Sequence, residues 1–121
     1  MFTLRKIEGG RINVCEPQIL TVGAAAVVSG QALVLDSNGA LVKCSGNKPT
    51  FIALANAAAG EKVAVGRVES NQIYSVSAEG LTLIVGLKYK PNDGGTALTA
   101  TTGGSAEVVE VSGNTAYVRF S

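Results

Sequence analysis

The sequence predicts an all-β domain, a small β-barrel or β-sandwich of about ten short strands with little helix. Three observations support this prediction. The 15 glycines punctuate the chain at intervals that are typical of short strands joined by turns. The runs between them are rich in Val, Ile, Leu and Thr, which favour strands. No run keeps the i, i+3, i+4 apolar spacing of an amphipathic helix over a dozen residues.

Individual strands are predicted wherever an apolar run lies between two turn signals. The last run is the clearest, because Ala116, Val118 and Phe120 alternate with two residues of the opposite face and should be buried together. In the run 62–68 the alternation slips after Val65, so Gly66 is the predicted position of a β-bulge. The predicted strands cover residues 3–7, 19–22, 32–36, 40–44, 51–54, 62–68, 73–77, 81–85, 97–100, 107–111 and 115–120.

Turn signals and one short helix candidate complete the local prediction. Asn38-Gly39 supplies the positive φ angles that a tight hairpin needs, and Ser112-Gly113-Asn114 is a second signal of the same kind. Residues 45–49 are turn residues in turn order. The alanine-rich segment 53–59 is the only helix candidate, at most a turn or two long, and Gly60 would end it.

Length and composition predict one domain with ample apolar material for a core. The chain has 121 residues, of which 46% are hydrophobic and only 16% are charged, against roughly 25% charged in a typical domain. A small domain with so few charges often covers part of its surface against neighbours, which hints at oligomerisation or docking. We predict an N-terminal arm or edge strand over residues 1–16 and a single β domain over residues 17–121.

The charge pattern argues against nucleic acid and membrane as partners. The net charge is +1, and the chain has no basic block, whereas both of these partners need clustered cations. The N-terminus lacks the apolar core of a signal peptide, and two strands with a turn explain the uncharged run 17–35 better than a membrane span does. These patterns predict a soluble protein that is made in a cytoplasm.

No constellation of residues predicts catalysis, a metal site or a cofactor. The chain has no His, so serine lacks its usual base, and no pair of ligands has metal-site spacing. Glu107 and Glu110 have opposite strand parity and should face opposite ways. We therefore predict no enzyme activity, no cofactor, no metal and no small-molecule substrate. Cys15 and Cys44 could form a disulfide, but two buried free thiols are favoured in a reducing compartment.

Several short motifs follow one another in a distinctive order. They are GQALVLD at residues 30–36, which leads through Asn38-Gly39, then AAAGEKVAV at residues 57–65, and then VGLKY at residues 85–89. In this order the chain resembles, over roughly residues 26–121, the head decoration (capsid cement) and head-fibre proteins of tailed bacteriophages. The resemblance implies a structural protein on the capsid surface of a virion, made in the cytoplasm of the host bacterium. It also implies binding to the major capsid protein, a homotrimer, and stabilised contacts between capsomers.

The start of the chain is a candidate partner-binding segment on its own evidence. It carries Phe2, Leu4, Arg5 and Ile7. Apolar residues at a terminus belong either to a strand tied into the sheet or to an anchor for a partner. The sequence leaves both interpretations open, an ordinary edge strand and a docking segment.

A carbohydrate- or receptor-binding module of a phage fibre is the alternative function. Such a module would use an exposed aromatic patch, for which Tyr74, Tyr89 and Tyr117 are the candidates. Phe51 and Phe120 fit core positions instead.

Overall fold

A computed structural model describes residues 1–7 and 17–121. Cys15 and the predicted domain boundary at residue 16 lie outside these ranges. The described residues contain strands and turns but no helix. The strands are β1 (Thr3–Ile7), β2 (Gln18–Thr21), β3 (Ala32–Leu35), β4 (Leu41–Lys43), β5 (Phe51–Ala53), β6 (Lys62–Arg67), β7 (Gln72–Ser77), β8 (Lys88–Pro91), β9 (Leu98–Thr102), β10 (Ala106–Ser112) and β11 (Thr115–Phe120).

The strands form two sheets whose neighbours are all antiparallel. The six-stranded sheet has the order β1-β7-β11-β10-β8-β9, and the five-stranded sheet has the order β2-β6-β5-β3-β4. The two sheets pack face to face and are not closed into a barrel. The all-β prediction is therefore confirmed, with the sandwich as its form.

Two clusters of apolar side chains form the core, one on each face of the five-stranded sheet. The main core lies between the two sheets, and the second core lies on the far face of the five-stranded sheet. Strand β5 contributes to both, since Ile52 belongs to the main core while Phe51 and Ala53 belong to the second. Just after β2, Val22 forms an isolated parallel bridge with Leu41 of β4, and both side chains belong to the second core.

The strongest sequence patterns are confirmed. In β11 the alternating residues Ala116, Val118 and Phe120 are all fully buried in the main core. Both hairpin turns form, and Gly39 and Gly113 adopt the positive φ angles that such turns require. In the first hairpin the Asp36 carboxylate accepts hydrogen bonds from two backbone N–H groups of the turn, which fixes the register of β3 and β4.

Strand β10 contains a β-bulge at Val109, where its register with β11 shifts. Glu107, before the bulge, lies opposite Arg119, and Glu110, beyond it, lies opposite Tyr117. Cross-strand partners share a face, so both glutamates lie on the outer face of the six-stranded sheet. The prediction that they face opposite ways is wrong, because the inserted residue resets the alternation.

The predicted strand at residues 81–85 does not form. These residues are an irregular loop, and the following strand, β8, begins later at Lys88 and was not predicted. In the loop Leu81 and Leu83 pack against the main core, whereas Ile84 and Val85 are exposed. The apolar run that suggested a strand therefore contributes first to the main core and then to the exposed surface.

The alanine-rich segment 53–59 is not helical. Ala57 forms an isolated antiparallel bridge with Val27, with reciprocal N–H to carbonyl distances of 2.9 and 3.0 Å. Ala53 belongs to β5, and Gly60 ends the segment in a turn with φ of 80°. Pairing with a distant part of the chain thus overrides the helix propensity of alanine, and the helix prediction is wrong.

Gly66 lies in a regular strand, so the predicted bulge is also wrong. Strand β6 pairs with both of its neighbours without a shift of register, and Gly66 lies opposite Ile52. The break in the apolar alternation after Val65 has another origin. Strand β6 ends at Arg67, and Val68 follows it and packs against the main core.

The uncharged run 17–35 forms β2 and β3 with an irregular connection, which confirms the interpretation as strands. Within residues 1–7 and 17–121, no helix has the length and apolar character to cross a bilayer.

Candidate docking surface

Residues 81–87, the apolar loop, connect β7 to β8 and hold large apolar side chains outside the core. Ile84 is 59% exposed and Val85 is 58% exposed, and Leu87 is also exposed. Three of the large exposed apolar residues of the described chain therefore lie within four consecutive positions. Exposed apolar side chains grouped in this way are characteristic of docking sites, which makes the loop a candidate docking surface.

Hydrogen bonds fix the backbone of the apolar loop. The Ile84 N–H donates to the hydroxyl of Tyr89 at 2.9 Å. The Gly86 N–H donates to the carbonyl of Val108 at 2.8 Å, and the Val108 N–H donates to the carbonyl of Leu87 at 3.0 Å. Gly86 has φ of 94°, a conformation that favours glycine. The backbone that carries the exposed side chains is therefore held in place, and a fixed backbone lowers the entropy lost on binding.

Carboxylates border the apolar loop. Glu79 lies at the turn that precedes the loop, and Glu110 lies on β10 just beyond the residues that pair with the loop. Lys88 follows the loop, but it lies opposite Glu107 in the register of β8 and β10. The Glu107 carboxylate pairs with Arg119 at 3.0 Å, so charges of both signs lie near the loop.

An apolar groove of about 250 Å³ lies beside β1, between the two sheets. We call it the β1 groove. The exposed side chains of Leu4 and Leu54 flank it, and its mostly apolar lining includes Ile52 and Gly66. The basic groups that line it are Arg67 and the amino terminus of Met1. The polar side chains of Thr3, Ser29 and Gln72 also line the β1 groove.

The predicted partner-binding residues lie on β1, the edge strand of the six-stranded sheet. Phe2, just before the strand, is 1% exposed and contacts Phe120 edge-to-face with ring centroids 5.4 Å apart, so it is unavailable to a partner while β1 is in place. Leu4 lines the β1 groove, and the exposed Arg5 donates from Nε to the Ser75 hydroxyl at 2.9 Å. Ile7 ends the strand in the position opposite Gln72. Binding of a partner by these residues stays a prediction.

A polar cleft of about 640 Å³ lies between the turn 45–48 and the hairpin of β8 and β9. Lys48, Lys90 and Asp93 bring its charges, and threonine and asparagine side chains add hydroxyl and amide groups. Ser105 also lines it, and among the described residues no group hydrogen-bonds to its buried hydroxyl. These groups suit a hydroxyl-bearing ligand better than an apolar one.

The aromatic patch predicted for sugar binding is not present as such. Tyr74 and Tyr89 are both buried in the main core, and Tyr117 alone is partly accessible, on the outer face of the six-stranded sheet.

Cys44 is a buried free thiol, and its burial raises the pKa of the thiol above the ordinary value. In the part of the chain that the structure describes, no three His, Cys, Asp or Glu side chains come together as metal ligands.

The sequence contained a signal for the apolar loop that the strand prediction missed. In a strand with one buried face, apolar residues recur at every second position. Leu81 and Leu83 follow this rule, but Ile84 and Val85 place apolar side chains at successive positions. Adjacent residues of a strand point to opposite faces, so Ile84 and Val85 cannot both face the core. The run is therefore better interpreted as a core contact at Leu81 and Leu83, followed by an exposed segment.

Comparison of the sequence with models of known protein families gives no match, and comparison with curated proteins gives none either.

Proposed function

We propose that this protein is a structural component of a virion, which decorates the outside of a phage capsid and stabilises contacts between capsomers. Two observations of different kinds support the proposal. The order of the sequence motifs resembles that of capsid decoration proteins. The apolar loop, which holds Ile84, Val85 and Leu87 outside the core, is the observation that supports association with a partner as the role of the protein.

The energetics of such a surface suit a decorating protein. Burial of one large aliphatic side chain contributes about 1.5–3 kcal/mol, so the loop alone supports modest affinity. A capsid repeats the same contact many times, and linked copies bind far more tightly than single ones. A small, fixed loop is therefore sufficient for tight binding when the symmetry of the capsid repeats its contact many times. The function requires no chemical step.

The direct test uses heads of the phage that encodes this chain, assembled without it. We expect purified protein to co-sediment with these heads at a fixed ratio to the major capsid protein and to raise the temperature at which the heads release DNA. Ile84→Asp should reduce the occupancy at least roughly tenfold, since it removes one buried aliphatic side chain. Leu35→Asp is the matched control, because Leu35 is exposed to 42% on β3 and lies outside the loop. Heads that bind no wild-type protein would overturn the proposal.

The polar cleft favours a second candidate function, a carbohydrate- or receptor-binding module. Its hydroxyl, amide and charged groups match the hydrogen-bonding needs of a sugar. Binding on a glycan array that is abolished by Asp93→Asn and retained in Ile84→Asp would support this role. Absence of any glycan signal for the wild-type protein would exclude it.

A further inference from the structure

We propose that the polar cleft binds a saccharide that carries one carboxylate group, such as a uronic acid. The inference rests on the second candidate function, because it assigns a class of ligand to the cleft that a carbohydrate-binding module would use. It does not involve the apolar loop, so it is independent of the decoration of a capsid through that loop.

The floor of the polar cleft contains a buried hydroxyl group without a protein partner. Ser105 lines the cleft and is 7% exposed, and among the described residues no group hydrogen-bonds to its Oγ. Buried hydroxyl groups are nearly always hydrogen-bonded, because an unpaired one costs free energy. A ligand hydroxyl that enters the cleft offers Ser105 both a donor and an acceptor. The floor of the cleft is therefore suited to the hydroxyl groups of a saccharide.

The charged side chains of the cleft favour a ligand with a single negative charge. Two lysines and one aspartate, Lys48, Lys90 and Asp93, give the cleft a net charge of +1. Lys48 lies on the turn at one wall and Lys90 lies on β8 at the other, and no described carboxylate forms an ion pair with either of them. A carboxylate neutralises this charge. A phosphate ester carries almost two negative charges at neutral pH, and Asp93 repels the excess.

The lining of the cleft argues against a neutral sugar. No aromatic side chain is among the described residues that line it. Pockets for small molecules usually gain their affinity from hydrophobic and aromatic side chains, while a few polar groups fix the orientation of the ligand. Because this cleft lacks an aromatic surface, the attraction between opposite charges has to supply the affinity, and that requires an anionic ligand.

Hydrogen bonds hold the two walls of the cleft in a fixed relation. The Ser45 N–H donates to the carbonyl of Asp93 at 3.2 Å, which joins the turn 45–48 to the segment after β8. The Thr99 hydroxyl donates to the carbonyl of Lys90 at 2.9 Å, which joins β9 to β8. A cleft that exists before the ligand arrives loses less conformational entropy on binding, so a small number of polar contacts is sufficient.

The positions of the polar groups assign a part of the ligand to each of them. Lys48 and Lys90 are exposed at the mouth of the cleft, where a carboxylate stays partly hydrated, and the flexible lysine side chains let both ammonium groups reach it. Asp93, also exposed, accepts hydrogen bonds from hydroxyl groups of the sugar ring. Ser105 pairs with a hydroxyl group at the floor. The lysines therefore recognise the charge, and Ser105 and Asp93 recognise the sugar.

The test titrates isotope-labelled protein with D-glucuronate, D-glucose or acetate up to about 100 mM, a range that covers a millimolar Kd. We expect glucuronate to shift the backbone NMR signals of residues 45–48 and 103–105. It should bind at least about fivefold more tightly than glucose or acetate, since each of these carries only one of the two recognised groups. Sodium chloride at about 1 M should weaken the binding of glucuronate but not of glucose, because salt screens only the charged contacts.

Variants of the cleft separate the two kinds of recognition. Lys48→Gln and Lys90→Gln should each weaken the binding of glucuronate about fivefold and leave that of glucose unchanged. Ser105→Ala should weaken the binding of both sugars by a similar factor and leave that of acetate unchanged. It should not lower the unfolding temperature, because its hydroxyl has no protein partner to lose. Lys62→Gln is the matched control, since Lys62 is an exposed lysine on β6, outside the cleft.

The outcomes separate this inference from the proposed functions. Glucose that binds as tightly as glucuronate would overturn the inference and leave the carbohydrate-binding candidate standing. Acetate that binds as tightly as glucuronate would show that the cleft holds an adventitious anion only, and a glucose phosphate ester that binds more tightly would contradict a single negative charge. Unchanged affinity of Ser105→Ala for both sugars would mean that water alone satisfies the hydroxyl, which also overturns the inference. Capsid decoration is tested separately, by the co-sedimentation with phage heads.

Discussion

The hydroxyl of Tyr89 accepts a hydrogen bond from the backbone N–H of Ile84, with the two atoms 2.9 Å apart. The ring of Tyr89 is buried in the main core, and Ile84 is the most exposed of the large apolar residues of the apolar loop. One side chain therefore connects the interior of the sandwich to the surface that we assign to association. The position of the loop depends on this contact and on the pairing of the loop with β10.

Tyr89→Phe should loosen the loop while the core stays packed. The ring remains, but the Ile84 N–H loses its partner, which costs about 1 kcal/mol of the free energy of unfolding. We expect faster hydrogen exchange at Ile84, measured by NMR, and weaker binding to phage heads, measured by co-sedimentation. Tyr117→Phe is the control, since Tyr117 lies on β11, which does not pair with the loop. Equal exchange at Ile84 in both variants would show that the Tyr89 hydroxyl does not hold the loop.

Gly95→Ala should be among the most destabilising single substitutions in this chain. Gly95 has φ of 73°, and a Cβ atom there would lie 2.2 Å from the carbonyl oxygen of Ala32. The Ala32 N–H also donates to the carbonyl of Gly95 at 2.7 Å, so the clash falls where the loop after β8 joins β3. We expect a loss of at least about 3 kcal/mol in urea unfolding, since left-handed strain alone costs about 1–2 kcal/mol.

Gly39→Ala is the matched comparison for this substitution. Gly39 has φ of 77°, but nothing lies within 4 Å of a Cβ atom at that position. Only the conformational strain applies, so we expect a loss of about 1–2 kcal/mol. Equal losses at the two positions would mean that the close approach of Gly95 to Ala32 contributes nothing.

Phe2→Ala should separate the structural role of the N-terminal arm from any binding role. Phe2 packs against Phe120, so its truncation should lower the free energy of unfolding by about 3–5 kcal/mol. Leu4→Ala should cost less, about 1 kcal/mol, because Leu4 is 37% exposed and so buries much less of its surface than Phe2 does. Because Leu4 belongs to the predicted partner-binding segment, its truncation should instead weaken binding to phage heads in the co-sedimentation assay. The reverse pattern would contradict the placement of these two residues.

The sequence was sufficient to predict the class of fold, because strand alternation and turn chemistry are local properties. Alternation along β11 follows from the pleat of a single strand, and Gly39 readily adopts the positive φ angle that its turn requires. The failed predictions depended on partners distant in the chain. Ala57 looks helical until Val27 pairs with it, and the face of Glu110 depends on a bulge that only the pairing with β11 defines.

The candidate docking surface was less accessible to sequence reasoning than the fold. The break in alternation at Ile84 and Val85 was visible, but its meaning depends on the Tyr89 hydroxyl and on the pairing with β10, which fix the loop outside the core. The β1 groove joins residues from both sheets and from the amino terminus. No local pattern reveals such a groove, because its existence depends on how the two sheets pack.

Stability should fall with rising pH above about pH 9 because of Cys44. Burial raises the pKa of this thiol above its ordinary value of 9.0, and the nearby Asp93 carboxylate acts in the same direction. In the unfolded chain the thiol loses its proton near that ordinary value, whereas the folded chain keeps it. The unfolded state then binds fewer protons, so the free energy of unfolding decreases as pH rises from about 9 through the folded-state pKa. Below pH 9 both states hold the proton, and Cys44 adds no pH dependence.

Urea unfolding at pH 7 and pH 10 of the wild type and of Cys44→Ala measures this contribution. The substitution removes the buried thiol and leaves Cys15 and all tyrosines in place, so their titration cancels in the comparison. We expect the wild type to lose more stability between the two pH values than Cys44→Ala does. An identical pH dependence in the two proteins would mean that Cys44 ionises as readily in the folded chain as in the unfolded one, which contradicts its burial beneath the turn 45–48.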